Sequence, residues 1–362
     1  MTRSLRPENI ERVVVRGANW VGDAAMTVPA LRELRRVLPR ARVTLATRAW
    51  AVGVFEGADF VNDFLVTGEA SNRPRALLAE AREWRARRFD LALLFPNAFA
   101  PALVAALARV PARVGYATQG RGPLLTRRVP VPDWRGRRHE VFYYLNLVSE
   151  LERALYGTST VGEREPDARV PVAEQKQREA LALLRAHGAL RGRPLVAVCP
   201  GSTNSRAKRW PAERFAAVAD LLAERNGAEV VLLGAREEAD ISEEVARRMR
   251  SRPVVLTGRT DLAQTAAVLK AADLLVTNDT GPAHVAAAVG CPAVVIFGPT
   301  RPETTRPYSA SAEVVRRPPD CAPCMLRDCP IDHRCMTAVT PEDVFERAAA
   351  ALDSRRRLEV AR

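Results

Sequence analysis

The stretch DLLVTNDTGPAHVAAAVGCPAVVIFGPT, residues 273–300, reads as strand, turn, helix, turn and strand. Asp273–Thr277 is a short apolar run rich in Leu and Val, too short for a helix and without alternation, as expected of a strand buried on both faces. Gly281 turns the chain, and Pro282 stands where the first turn of a helix tolerates a residue without an N–H. Small apolar residues continue to Val289, Gly290 stops the helix, and Ala293–Phe297 is a second apolar run. A strand, a helix and a strand at this spacing form a βαβ unit, and βαβ units build parallel sheets. The turn itself carries chemistry. His284 follows from the first helical turn, and the amides of Thr280, Gly281 and their neighbours, with the helix dipole behind them, make a site for an anion such as a diphosphate. Asp279 has a purely structural alternative, capping the same helix.

The pattern extends in both directions. Pro194–Cys199, Glu229–Leu233 and Val254–Leu256 read as strands, with helices at Ala212–Arg225, Glu238–Arg248 and Leu262–Ala271 between or after them. Pro341–Ala351 is a closing helix. In the N-terminal half, Arg12–Val15, Arg42–Ala46 and Asp90–Phe95 are strands, Asp23–Leu38 is one helix and Arg73–Arg88 an exposed, charged one. Residues 157–193 are polar and weakly patterned apart from a helix near Val172–His187, and read as a linker. The expected organisation is α/β: two doubly wound, Rossmann-like domains facing a cleft, one over residues 1–180 with the linker and one over 190–345, then a C-terminal helix and tail at 346–362. Ligands of such sheets bind at the carboxyl ends of the strands, so the loops there hold the candidates.

Two further loops qualify. In RGANWVGDAAMTVPALRELRR, residues 16–36, Asp23 follows the first strand and opens a helix. It is either an N-cap or a carboxylate placed to take a proton from an incoming hydroxyl. The stretch lacks G-x-G-x-x-G, so dinucleotide binding is not indicated. In CPGSTNSRAKRWPAERFAAVADLL, residues 199–222, Ser202 and Thr203 offer hydroxyls, Lys208 a point charge, and the small residues allow close backbone approach to phosphate. The bland reading is a turn closed by Asn204 with a solvent-facing Lys208.

The chain has 362 residues, long enough for two cores, and a net charge of +13 that is unevenly spread. Residues 1–145 hold 24 Lys and Arg against 13 Asp and Glu, whereas residues 146–362 hold 31 against 29. The N-terminal half therefore suits an anionic partner. No helix-turn-helix, zinc-finger, RNP or KH pattern is present and the basic residues are not interleaved with aromatics, which argues against nucleic acid. No secretory leader or membrane span is read, so a cytoplasmic location is expected. Four of the six cysteines, Cys321, Cys324, Cys329 and Cys335, cluster within 15 residues. They offer a structural Zn or Fe site, free thiols or disulfides, the last disfavoured in a reducing compartment. Cys199 and Cys291 lie in apolar settings and read as core thiols.

With RGANWVGDAAMTVPAL, PGSTNSRAKRWP, NDTGPAHVAAAVGCPAVVIFGPT and CMTAVTPEDV in this order, the chain resembles the bacterial ADP-heptose:lipopolysaccharide heptosyltransferases of glycosyltransferase family 9, nearest the heptosyltransferase II type. The resemblance implies a GT-B fold and an inverting transferase needing no cofactor for catalysis. Its donor would be ADP-heptose, its acceptor heptosyl-Kdo2–lipid A. It makes Asp23 the catalytic base and Lys208, with Ser202 and Thr203, the diphosphate ligands. Asp279, Thr280, Gly281 and His284 would line the diphosphate and sugar. Glu238, or its neighbour Glu237, would hold the ribose, and Arg121 becomes an acceptor-side candidate. The basic N-terminal half then fits an acidic glycolipid at the anionic inner face of the inner membrane, each basic residue near that surface contributing about 1 kcal/mol. Alternatives are a first heptosyltransferase, a protein O-heptosyltransferase and a non-catalytic nucleotide-sugar or nucleic-acid binding protein.

Overall fold

Among the described residues, twelve strands form two sheets of six, every pairing parallel. The computed structural model describes residues 6–68, 73–189 and 192–360. The first sheet contains β1 (Arg12–Arg16), β2 (Arg42–Thr47), β3 (Asp63–Val66), β4 (Leu91–Leu94), β5 (Ala112–Tyr116) and β6 (Arg127–Val129), in the order β3-β2-β1-β4-β5-β6. The second contains β7 (Leu195–Cys199), β8 (Glu229–Leu232), β9 (Val254–Val255), β10 (Leu274–Asn278), β11 (Ala293–Ile296) and β12 (Ala312–Val315), in the order β12-β11-β10-β7-β8-β9. Each is the Rossmann order 3-2-1-4-5-6, so each sheet has a switch point beside its first strand: β1/β4 in one, β7/β10 in the other.

The strands at the switch points are the most apolar, as burial on both faces requires. Val13, Val14 and Val15 are inaccessible to solvent, as are Leu274, Leu275 and Val276. The edge strands β3, β6, β9 and β12 are two to four residues long and carry exposed or half-buried positions, and β3, β6 and β12 lack the continuous apolar run by which the central strands announce themselves. The expected helix Asp23–Leu38 is two helices, Val21–Met26 and Val28–Val37, meeting at Thr27. Pro29 has no N–H to continue the ladder, and the Thr27 hydroxyl donates instead to the carbonyl of Ala24 at 2.6 Å.

The chain divides into a unit ending at Ala168 and a unit beginning at Arg169. The boundary therefore precedes the helix Glu174–Ala186, which packs on the helix Leu262–Ala271 of the second unit instead of serving as linker. The C-terminal helix, Pro341–Val360, packs on the helix Ala212–Asn226 and on β10 and β11, within the second core; residues 361–362 of the expected tail lie outside the described residues.

Candidate active site

The loop after β7 is fixed from beneath by one fully buried amide. Asn278, the last residue of β10, donates from Nδ2 to the carbonyls of Pro200 (2.8 Å) and Gly201 (3.2 Å) and accepts at Oδ1 from the amide of Trp210 (3.0 Å). Both ends of the Ser202–Arg209 loop are thus held by the neighbouring strand. Trp210 is itself buried, its ring edge-on to Phe215 at 5.0 Å and its indole N–H donating to the carbonyl of Val339 at 3.1 Å. With so large an apolar anchor beside it, the turn Arg206–Lys208 has little freedom.

Lys208 comes from that turn to the start of the next helix. Its Nζ lies 2.8 Å from Asp279 Oδ2 and donates to the carbonyl of Asp279 at 3.1 Å. Thr300, from the loop after β11, donates to the same carboxylate oxygen at 2.7 Å. Asp279 therefore does not cap the helix Gly281–Val289. The N-cap is Thr280, which makes no side-chain cap bond, and Asp279 is buried as the counter-ion of Lys208. The bland reading of Lys208 as a solvent-facing charge fails equally, since it is only 27% exposed. Gly281 is the first helical residue, and His284, fourth along, is 6% exposed. A cation, a helix N-terminus and hydroxyls meet here at the β7/β10 switch point, an arrangement able to hold a diphosphate.

Of the two candidate glutamates, Glu237 points to solvent and Glu238 is buried against the β7 loop. Glu238 accepts from the Thr203 hydroxyl at 3.1 Å and from the amide of Ala235 at 2.9 Å. Its carboxylate fits because Gly201 and Gly234 lack side chains: a Cβ on Gly201 would lie 2.3 Å from Glu238 Cδ, and one on Gly234 3.0 Å from Oε2. Ser202 is buried, and its carbonyl accepts from Arg209 Nε and Nη2 at 3.2 and 3.0 Å.

In the first unit, Asp23 follows β1 as expected but is not an N-cap. The helix is capped by Trp20, and Asp23 is its third residue, half-buried. Its charge reaches the helix Glu140–Tyr156. The Glu140 carboxyl is pushed up, first by burial, with Arg135 opposing and Asp23 adding to it; burial and then Asp23 push up the Tyr144 phenol. Arg121 is where the acceptor-side expectation needs correcting. It is fully buried, donating to the carbonyls of Tyr116 (2.8 Å), Pro96 and Ala98 (3.2 Å) and to Asn97 Oδ1 (3.3 Å), and burial lowers its pKa to about 10. Its donors knit the loops after β4 and β5 together, leaving little for a ligand. The exposed cation here is Arg135, unmarked in the sequence, which lies 4.1 Å over the Tyr143 ring and donates to its hydroxyl at 2.6 Å.

The four clustered thiols line one pocket, but among the described residues no three Cys, His, Asp or Glu side chains are grouped as ligands for a metal. The Zn or Fe alternative for this cluster therefore has no support among the described residues. The Cys335 thiol is pushed up to about 11, by burial first and then by its three neighbours. Cys199 and Cys291 are core thiols, as read.

The model of glycosyltransferase family 9 (heptosyltransferase) matches residues 77–334. The chain belongs to this family. It is 29% identical over 314 residues to lipopolysaccharide heptosyltransferase 2 of Salmonella typhimurium, across 84% of this chain and 88% of that one. Among solved structures, ADP-heptose lps heptosyltransferase II of Escherichia coli superposes with a TM-score of 0.79 at 27% identity, covering 95% of this chain and 99% of that one. A glycosyl transferase family 9 structure from Veillonella parvula gives 0.82 at 25% identity, covering 98% and 100%. This family 9 chain is thus a glycosyltransferase of GT-B fold, each Rossmann-like unit carrying one of the two loop sets above.

Proposed function

We propose that this glycosyltransferase moves L-glycero-D-manno-heptose, with inversion, from ADP-heptose to the heptosyl-Kdo2–lipid A inner core of lipopolysaccharide. The observation that carries the reading is the meeting of Lys208, Asp279 and Thr300 with the N-terminus of the Gly281–Val289 helix at a switch point. The similarity to lipopolysaccharide heptosyltransferase 2, and to the structure of an ADP-heptose lps heptosyltransferase II, supports an ADP-heptose donor and a lipopolysaccharide acceptor.

In this reading Asp23 takes the proton of the acceptor hydroxyl as its oxygen attacks the anomeric carbon of the donor. The bond from that carbon to the diphosphate breaks on the opposite face, and ADP leaves with the electron pair. Lys208, the helix N-terminal amides and the Ser202 hydroxyl stabilise the charge gathering on the leaving phosphate, and the Thr203 hydroxyl joins them on turning away from Glu238. Asp279 holds the Lys208 ammonium for that task, His284 and Gly281 close the sugar side, and Glu238 accepts from the ribose hydroxyls. No metal takes part in these steps.

No helix of the described residues is long and apolar enough to cross a membrane. We assign the enzyme to the cytoplasmic face of the inner membrane, held peripherally by the positive surplus of its first 145 residues against anionic lipid and the acidic acceptor.

The test is ADP release from ADP-heptose by the purified protein, offered Kdo2–lipid A with or without one heptose. Release that requires the heptosylated acceptor, and a large loss of turnover in Asp23→Asn with ADP affinity kept, is the expected outcome. Release only with the heptose-free acceptor makes it a first heptosyltransferase, and equal turnover of Asp23→Asn and wild type removes the base assignment.

A further inference from the structure

Lys208 is carried by a single 3-10 turn, Arg206–Lys208, too short to set its own position. Both backbone polar groups of the preceding residue, Ala207, are taken by one distant segment. The Ala207 amide donates to the carbonyl of Arg327 at 2.9 Å, and the Ala207 carbonyl accepts from His333 Nε2 at 2.6 Å. The same segment accepts from the Ser205 hydroxyl at 3.1 Å, again at the Arg327 carbonyl, and pairs Asp328 with Arg206 at 2.7 Å. It also reaches the other loop that converges on Asp279. The amide of Met325 donates to the carbonyl of Pro299 at 2.9 Å, one residue before Thr300. Behind it, the sulfurs of Met336 and Cys335 fill the space over Gly298, where a Cβ would lie 2.3 and 3.0 Å from them.

We propose that the segment Met325–His333, which lies among the clustered cysteines, is a brace that positions the diphosphate-binding loops, and that His333 is its positioning residue for Lys208. The segment has almost no regular structure of its own, yet it fixes the two loops whose side chains, Lys208 and Thr300, share one oxygen of Asp279. A carbonyl only accepts, so His333 serves with Nε2 protonated. Removing the ring frees the Ala207 carbonyl to rotate, and the side chain of Lys208, the next residue of the turn, moves with it. A small displacement costs donor binding without touching the base in the other unit.

This inference rests on Lys208 binding the donor diphosphate, so the experiment carries Lys208→Ala in parallel. ADP affinity by calorimetry and steady-state kinetics with ADP-heptose are measured for wild type, His333→Ala, His333→Gln, Asp328→Asn and Lys208→Ala. Loss of one hydrogen bond of this kind is expected to raise the donor KM and the ADP Kd about tenfold in His333→Ala. Turnover at saturating donor and the acceptor KM should be unchanged, and His333→Gln, whose amide can donate to the same carbonyl, should recover most of the affinity. Asp328→Asn, at an exposed pair, gives a smaller rise of the same kind and covers the case in which His333→Ala fails to fold. If Lys208→Ala weakens ADP binding but neither His333→Ala nor Asp328→Asn does, the brace is refuted while the donor site stands. If Lys208→Ala has no effect, the donor-site reading fails and the brace with it. A fall in turnover and both affinities together, without rescue by Gln, reduces His333 to a structural residue and overturns the proposal.

Discussion

Replacing Gly201 by alanine places a methyl carbon 2.3 Å from Cδ, 2.4 Å from Oε1 and 2.8 Å from Cγ of Glu238. Contacts of that length do not survive, so the glutamate must retreat by about 1 Å or more. It has nowhere to retreat at low cost. On the far side, Gly234 already stands close to Oε2, and the carboxylate holds the Ala235 amide at 2.9 Å and the Thr203 hydroxyl at 3.1 Å. Losing two hydrogen bonds to a buried carboxylate costs about 2–4 kcal/mol, most of which should appear as lost stability of the second unit. A double-mutant cycle with Glu238→Ala isolates the cause. Once the carboxylate is gone the methyl group has room, so Gly201→Ala/Glu238→Ala should be no less stable than Glu238→Ala alone, with a coupling of about 2–4 kcal/mol. Denaturant unfolding gives the four stabilities, and ADP calorimetry shows whether affinity follows the position of the carboxylate. Simple additivity of the two substitutions would refute the packing argument, as would a Gly201→Ala protein as stable as wild type.

Asn278 gives a second expectation, in which shape is kept and chemistry changed. Asn278→Asp retains an acceptor for the Trp210 amide but turns a carboxylate toward the Pro200 and Gly201 carbonyls, so it should destabilise by at least the roughly 2–4 kcal/mol expected of Asn278→Ala; a near-native Tm for the Asp variant would contradict this. At the start of the C-terminal helix, Asp343 accepts from Arg317 and the Thr340 amide while Thr340 accepts from the Asp343 amide, and its pKa is held down at about 2, Arg317 first among the causes. The unfolded chain binds this proton more readily than the native one, so the contribution is full above the ordinary Asp pKa and is lost as pH falls through about 2. After allowance for the solvent around Arg317, Asp343→Asn should cost about 1 kcal/mol at neutral pH, shrinking below about pH 4; denaturant midpoints that differ equally at pH 7 and pH 2.5 would remove the linkage.

The placement of the proposed donor loops was legible because it is local. Each loop directly follows a buried strand, and the Rossmann order brings the loops after β7 and β10 side by side with no information beyond the strand sequence. What could not be read depends on partners far along the chain. An Asp just before a helix is an N-cap candidate by its neighbours alone, and only the approach of Lys208 from 71 residues away makes Asp279 a counter-ion. Arg121 looks like any arginine in a Gly-rich loop; its burial follows from carbonyls presented by a different loop after β4. The clustered cysteines offered a metal site among other readings by their spacing, but spacing does not set the direction of four side chains, three of which lie in a stretch without regular structure. The edge strands β3, β6 and β12 were missed for a related reason, since a strand covered on fewer sides needs no apolar run.

These misses share a direction. The residues proposed to bear charge toward a ligand, Asp23 and Lys208, sit where strand–loop–helix periodicity puts them, whereas the groups that hold the β7 loop and its counter-ion reach partners elsewhere in the sequence. Asn278, Thr300, Trp210 and His333 all act on the β7 loop or its counter-ion through hydrogen bonds spanning between 21 and 129 residues. A polar site at the mouth of a sheet is assembled from backbone amides and short side chains whose rotamers are not fixed by local packing. It therefore needs supports that buried apolar strands do not. Substitutions at the supports should thus move donor affinity and stability together at Asn278 and Trp210, which are buried beneath the loop, and affinity alone at His333, which touches it from the side. That contrast separates a site that is merely folded from one whose geometry is held for catalysis.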